Sequence, residues 1–351
     1  MIKTNFVMPV SQVITRLSKV VMDINIKRFD KFAQQASQKK IAVLGDIMID
    51  HYIIGNVSRI SPEAPVPILE GLTDEYRLGG AANVALNIST LDAKTYLIGV
   101  IGDDINSSIV MNLLQEQNID VSLIIKDKER PTTIKSRITA RKQQIVRVDR
   151  ELTTPIRKSI EDEIISSFEK IVKDIDALII EDYNKGLLTE RVITTVIKIA
   201  KANNVIITVD PKFENFFAYK GVTVFKPNLA ELAKNMNRNI SNEKDLQAIA
   251  WQLFKQIEAK YLVVTLGERG MLIFEHDKNI FSLPTYASKV LDVSGAGDTV
   301  ISSLTLALTL TNSILESAII ANHAAGIVCG KHGTSPTSWK EIRESVKEES
   351  E

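Results

Sequence analysis

The sequence predicts an α/β fold, a doubly wound parallel sheet with a small β lid, on three observations. Short β-branched runs, Ala177 to Glu181, Val205 to Val209, Val222 to Phe225 and Tyr261 to Leu266, alternate with helix-length amphipathic stretches. That is the order of a parallel sheet covered by helices on both faces. Polar residues and glycines gather just past such runs, at Asp182, Asp210, Asn228, Gly267 and Asp298, where ligands sit on sheets of this kind. Finally, 351 residues with 44% hydrophobic and 25% charged side chains suit a globular chain with a sizeable core.

The totals also exclude. Lys plus Arg and Asp plus Glu both number 43, so no global charge points to nucleic acid or an anionic membrane, and none is expected as a partner. The single cysteine, Cys329, rules out an intrachain disulfide and fits a reducing cytoplasm. No CxxC or HExxH spacing suggests structural zinc. Lys3, Arg16 and Lys19 interrupt the first apolar residues, so an export signal is not expected. The charge-free run Thr299 to Leu315 is shorter than the ~20 residues of a membrane span and carries Ser302, Ser303, Thr305 and Thr309; it reads as a core helix.

In chain order, residues 1–39 stand apart as a helical extension, with Val10, Val13, Ile14, Leu17, Val20 and Val21 on one face. Ile41 to Gly45 is a buried-type strand that runs into Asp46, Asp50 and His51. Carboxylates just beyond a strand end can grip sugar hydroxyls, although a solvated turn has the same look. Tyr52 to Glu70 is strand-like but broken by Pro62, Pro65 and Pro67, which suits edge strands of a lid. Gly79 and Gly80 allow backbone to approach a ligand before a helix that carries Asn83. Between Lys126 and Arg150 nine basic residues face three acidic ones, and strand alternation puts Thr133, Lys135, Arg137, Thr139 and Arg141 on one face. Read from the residues alone, this is a solvated ribbon face or an anion-binding one.

Further on, Asn228 and Glu231 share a helix face at i and i+3, where an Asn cap is the plain explanation. Thr265 to Gly270 is a tight turn between strands, and Asn322 lies on a small-residue helix that suggests close packing. Gly326 to Lys331 is not a Walker A loop, because only three residues separate its glycines and His332 follows the lysine. The stretch 341–351 is a charged helix or tail. The focus of the chain is Leu291 to Thr299: Gly295, Ala296 and Gly297 offer bare amides at a helix N-terminus, an anion site, and Asp298 stands beside it. There Asp298 is either an N-cap or a general base for an attacking hydroxyl.

This last run resembles the C-terminal signature of the ribokinase/PfkB family of carbohydrate kinases, and Gly79 to Ala85 with Gly99 to Asp104 resembles the N-terminal one. The words Ser58 to Pro67, Gln143 to Asp149, Asp182 to Gly186 and Asp210 to Lys212 narrow the resemblance to the branch that phosphorylates heptose 7-phosphate. The likeness runs from about Ile41 to Ser335. The long N-terminal segment, His51, Lys226 and Ala230 depart from the pattern. Bifunctional relatives add a nucleotidyltransferase half, and this sequence is expected to hold the kinase half alone.

The resemblance implies a ribokinase-like domain over 40–340, with lid segments at about 51–77 and 126–150, and a homodimer formed through the lid. It implies ATP and Mg²⁺ as cofactors and a sugar phosphate as acceptor. Asp298 would be the catalytic base and Gly295, Ala296 and Gly297 the anion hole. Asp50, Gly79, Gly80, Asn83, Arg137, Arg141, Gln144, Arg147, Asp149 and Lys185 would meet the acceptor. Lys212, Asn228, Glu231, Thr265, Gly267, Glu268, Gly270 and Asn322 would meet the nucleotide, with Glu231 holding Mg²⁺ through water.

Overall fold

The computed structural model describes residues 26–140, 143–276, 279–287 and 290–350. The expected apolar stripe from Val10 to Val21 and the candidate Arg141 lie outside the described residues. In chain order, α1 (Ile26–Ala36) precedes β1 (Lys40–Gly45), β2 (Ile47–Ile60), β3 (Pro67–Gly80), α2 (Ala81–Thr90), β4 (Lys94–Gly102), α3 (Ile105–Glu116) and β5 (Ile124–Asp127). Two strands follow, β6 (Thr133–Ala140) and β7 (Gln143–Arg150), then α4 (Lys158–Ile171), β8 (Ala177–Glu181), α5 (Glu190–Ala202), β9 (Ile206–Asp210) and β10 (Val224–Phe225). The remainder is α6 (Leu229–Asn235), α7 (Glu243–Ile257), β11 (Tyr261–Thr265), β12 (Met271–Glu275), β13 (Asn279–Leu283), α8 (Ala296–Thr311), α9 (Ile314–Cys329) and α10 (Trp339–Ser350).

The large sheet runs β13-β12-β11-β10-β9-β8-β1-β4-β5 and is parallel from β11 to β5, with an antiparallel pair of strands at the β13 edge. Successive residues of its central strands feed two cores. Ile41, Val43, Ala177 and Ile179 pack on the side of α2, α8 and α9, whereas Ala42, Leu44, Leu178 and Ile180 pack on the side of α4, α5 and α7. Both faces are therefore apolar, which is why these strands read as continuous β-branched runs. The winding direction reverses between β1 and β8, and such a reversal opens a crevice past the carboxyl ends of the strands.

The small sheet runs β3-β2-β6-β7. Its strand β2 pairs antiparallel with β3 and parallel with β6. Pro67 opens the edge strand β3, a place where a missing N–H costs the ladder nothing. The second stretch of this sheet starts at Thr133 rather than 126: Ile124–Asp127 pairs with β4 and extends the large sheet, because Leu123 and Asp127 are buried there.

The chain's outer helices pack together. Phe29 and Phe32 of α1 and Trp339, Ile342 and Val346 of α10 are buried in the same core, Phe29 meets Trp339 edge to face at 5.5 Å, and Arg343 Nε donates to Asp30 at 2.6 Å. Of the two forms open to the C-terminal stretch, helix or tail, the structure has the helix, docked through the buried Ile342 and Val346. Helix α8 is buried almost throughout, and its hydroxyls bond back up the helix, Ser302 Oγ to Asp298 O at 2.6 Å and Thr305 Oγ1 to Ile301 O at 2.6 Å. It is a core helix, and among the described residues no helix is long and apolar enough to cross a membrane.

Candidate active site

The helix α8 starts at Ala296, and its N-cap is Gly295, with φ at +78°. A side chain at Gly295 would be strained by that angle and would crowd Asn83 Nδ2 and Thr334, so the turn requires glycine. Asp298 is therefore the third residue of the helix and not its cap. Ala296 N donates back to Val293 O at 3.2 Å, and the next amides of the first turn, which have no helix carbonyl behind them, face open space. That space is a cavity of about 630 Å³ lined by Gly295, Ala296, Gly297, Asp298, Lys212, Asn228, Thr265, Gly267, Glu268, Gly270 and Asn322. Apart from Glu231, every residue expected to meet the nucleotide lines this one cavity.

Asp298 is 5% exposed. Asn83 Nδ2 donates to its Oδ2 at 2.7 Å, and the Tyr183 hydroxyl donates to its Oδ1 at 2.9 Å. Burial pushes its pKa up to about 6; the Asn83 and Tyr183 hydrogen bonds and Lys226 pull down, and the charge of Asp210 pushes up. Glu181 and Asp210 bring their carboxylates within 4.8 Å of it. Burial, then the charges of Asp210 and Asp298, holds Glu181 well above the usual carboxylate range. Lys226 is the counter-charge, 2% exposed, with Nζ 2.8 Å from Asp210 Oδ2. Burial opposes charge on Lys226, yet Asp210 and Glu231 keep it protonated.

Nearby, Asn228 and Glu231 form a reciprocal capping box at the start of α6. Glu231 Oε2 accepts from the Asn228 amide at 2.8 Å, and Oε1 accepts from Lys212 Nζ at 2.5 Å. Burial works against the Lys212 charge, but Asp210 and Glu231 outweigh it and raise its pKa. Each carboxylate oxygen of Glu231 keeps a second lone pair, the feature that suits a water-mediated hold on Mg²⁺, while the side chain is 3% exposed and stands outside the cavity lining. Asn322 Nδ2 is already bonded, to Pro284 O at 2.5 Å.

The residues expected to meet the acceptor lie elsewhere. The register of β2, β3, β6 and β7 places Asp50, Arg137, Arg147, Asp149 and Gln144 on one face of the small sheet. Arg137 Nη1 donates to Asp50 Oδ1 at 2.5 Å, and Arg147 Nη2 donates to Asp149 Oδ2 at 2.9 Å. Arg137 stands directly opposite Arg147 across the β6–β7 ladder, where two like charges repel unless an anion lies between them. Gly79 stands over Asp50 and Met48, with no room for a side chain. Gly80, at φ +56°, turns β3 into α2 and delivers Asn83 to Asp298. Lys185 Nζ pairs with Glu151 at 2.7 Å, beside Lys135, at the foot of the same sheet.

Sequence reasoning gave no role to Tyr183, Glu181 or the Lys226–Asp210 pair. The signal for Glu181 is faint: one charge at the end of an otherwise apolar strand. Asp182, next to it, turns away and accepts from the Tyr219 hydroxyl at 2.7 Å and from the Asn184 amide.

Residues 38–341 match the model of the pfkB family carbohydrate kinase. A bifunctional protein HldE of Nitratiruptor sp. is 42% identical over 305 residues, which cover 87% of this chain and 64% of that protein. The chain thus spans somewhat under two thirds of the length of this relative. In fold it is similar to the ribokinase of Arabidopsis thaliana complexed with ribose and ATP, with TM-score 0.71 and 18% identity over 88% of this chain and 99% of that one. It is also similar to phosphofructokinase-2 of Escherichia coli in complex with substrates and products, with TM-score 0.73 and 21% identity over 89% of this chain and 100% of that one.

Proposed function

The chain belongs to the PfkB family of carbohydrate kinases, and from that premise we propose that it transfers the γ-phosphoryl group of ATP to O1 of D-glycero-β-D-manno-heptose 7-phosphate. The product is the 1,7-bisphosphate, a step toward ADP-heptose and the lipopolysaccharide core. The observation that carries the reading is Asp298, a buried carboxylate with its pKa raised to about 6, set in the first turn of a helix whose N-terminus lines a cavity large enough for a nucleotide.

In this reading Asp298 accepts the proton of the O1 hydroxyl as that oxygen attacks. The amides of Gly295 and Gly297, on either side of the Ala296 amide that bonds Val293 O, bind the equatorial oxygens of the phosphoryl group in transfer, where charge spreads in the transition state. Lys212 and Lys226 add positive charge at the cavity wall, and Glu231 would hold Mg²⁺ through water. Magnesium, when bound, neutralises the phosphate oxygens. Asp50 takes acceptor hydroxyls, and the facing Arg137 and Arg147 take the 7-phosphate, a dianion suited to guanidinium forks. The other face of the small sheet exposes Val146 and Val148, 45% and 55% accessible, and a second copy of the chain covers it in a homodimer.

ADP release with a panel of heptose 7-phosphate, heptose, fructose 6-phosphate and ribose tests the assignment. Heptose 7-phosphate should give the highest kcat/KM. Equal values for heptose and its 7-phosphate would sink the sugar-phosphate reading, and preference for ribose or fructose 6-phosphate would move the chain to another branch of the family. Light scattering of the wild type and of Val148→Lys tests the dimer, which the variant should dissociate.

A further inference from the structure

Both oxygens of Asp298 are occupied, and by donors from different elements. Asn83 comes from α2, and Tyr183 comes from the loop after β8. A single donor pins one oxygen and leaves the carboxylate plane free to turn about χ2. A second donor on the other oxygen fixes the plane.

Tyr183 is itself held on several sides. Its backbone amide donates to Asp46 Oδ2 at 2.9 Å, and the Lys185 amide donates to the same oxygen at 3.1 Å, so the buried Asp46 shapes the loop. The Lys212 ammonium lies over the ring at 5.3 Å. The hydroxyl is a lasting donor, because burial and the charges of Asp298, Glu181 and Asp210 hold its pKa well above that of a free phenol.

Building on the kinase reading, we propose that Tyr183 is a positioning residue for the phosphoryl transfer: its hydroxyl fixes the Asp298 carboxylate in plane and keeps it ionised as the acceptor hydroxyl arrives. The proton of that hydroxyl passes to a free lone pair of Asp298, while the Tyr183 O–H bond stays intact throughout. The groups around the base divide by sign. Glu181 from β8 and Asp210 from β9 favour the protonated form of Asp298; Asn83, Tyr183 and, past β10, Lys226 favour the carboxylate. Lys212, after β9, faces the same cavity. Loss of the Tyr183 donor therefore tips the balance toward the proton.

The test is Tyr183→Phe in the full chain, beside Asp298→Asn, assayed with ATP and heptose 7-phosphate from pH 5 to 9. Tyr183→Phe should keep KM for ATP within about twofold, lower kcat at pH 7 roughly tenfold, and move the acidic limb of kcat/KM upward by about one pH unit, as expected for loss of one hydrogen bond to a charged group. An unmoved limb with wild-type kcat overturns the proposal, and so does a lowered Tm with an unmoved limb, which would leave Tyr183 a scaffold residue. A second readout needs no turnover: the Asp298 carboxyl carbon, assigned by its loss in Asp298→Asn, should titrate at higher pH in Tyr183→Phe by ¹³C NMR. That measurement separates failure of this inference from failure of the kinase reading, which would show as no ADP release by the wild type with heptose 7-phosphate. Should Tyr183→Phe fail to fold, a trifluorinated tyrosine at 183, a stronger donor of similar shape, must move the titration downward; no movement refutes the role.

Discussion

The carboxyl edge of the large sheet and the face of the small sheet carry similar charges in opposite settings. At the large sheet, Glu181, Asp210, Lys226 and Asp298 are each 5% exposed or less, and three acids share one buried lysine. On the small sheet every residue of β7 is exposed, and Arg147 closes onto Asp149 two residues away on its own strand. Charges without water must be fixed by partners, and they shift one another's proton affinity; charges in water are cheap to hold and free to exchange partners. The buried set is therefore pre-organised for chemistry, and the open set is disposed to receive a ligand.

The sharpest way to break this contrast is Asp298→Asn. The amide fills the same space without taking a proton, so kcat should fall about 10²- to 10⁴-fold while ATP still binds. Near-normal turnover would return the residue to a purely structural place. On the open side, Arg147→Ala should raise KM for heptose 7-phosphate roughly ten- to hundredfold and leave KM for ATP nearly unchanged, since one charge-assisted hydrogen bond is worth ~1.5–3 kcal/mol. A rise in KM for ATP instead would turn that face toward the nucleotide.

A third measurement reads the buried set through protons. The folded-state pKa of Asp298 is raised from 3.8 to about 6, so between those values the native state binds more protons than the unfolded chain, and this group's burial penalty is relieved as pH falls from 7 to 4. At ~1.36 kcal/mol per unit the relief reaches about 3 kcal/mol. Asp298→Asn lacks it, so the difference in Tm, variant minus wild type, should shrink as pH is lowered; a pH-independent difference would contradict the raised pKa. The smallest catalytic effect should come from Phe29→Ala. The lost packing against Trp339 costs about 3–5 kcal/mol in stability, yet kcat and both KM values should hold, because neither Phe29 nor Trp339 lines the cavity.

The buried strands and the residues that line the cavity at the N-terminus of α8 are legible in the sequence because both are written locally. Apolar runs mark strands covered on two faces, and glycines mark turns such as Gly295. Partners contributed by distant strands were not legible. The Tyr183 hydroxyl reaches a residue 115 positions away, and the Asn83 amide reaches one 215 away. Nor does any local pattern tell Asp182 from Glu181: Glu181 ends β8 and comes within 4.8 Å of Asp298, whereas Asp182, the next residue, accepts from the Tyr219 hydroxyl. The start of the small sheet was misplaced for the opposite reason. Ile124–Asp127 looks like its neighbours in sequence, but pairing with β4 decides its sheet.

Of the four chain crossings between the small sheet and the rest of the domain, two are the shortest. A single residue, Asp46, separates β1 from β2, and none separates β3 from α2. The two crossings are tied to each other, Ala81 N donating to Asp46 O at 3.0 Å. Mechanically the sheet is a stiff arm whose fulcrum lies inside the active site. A tilt of its free end turns Gly80 and Asp46 together, and those residues carry Asn83 and the Tyr183 loop respectively. Load placed on the arm by a ligand is thus delivered to both donors that grip Asp298.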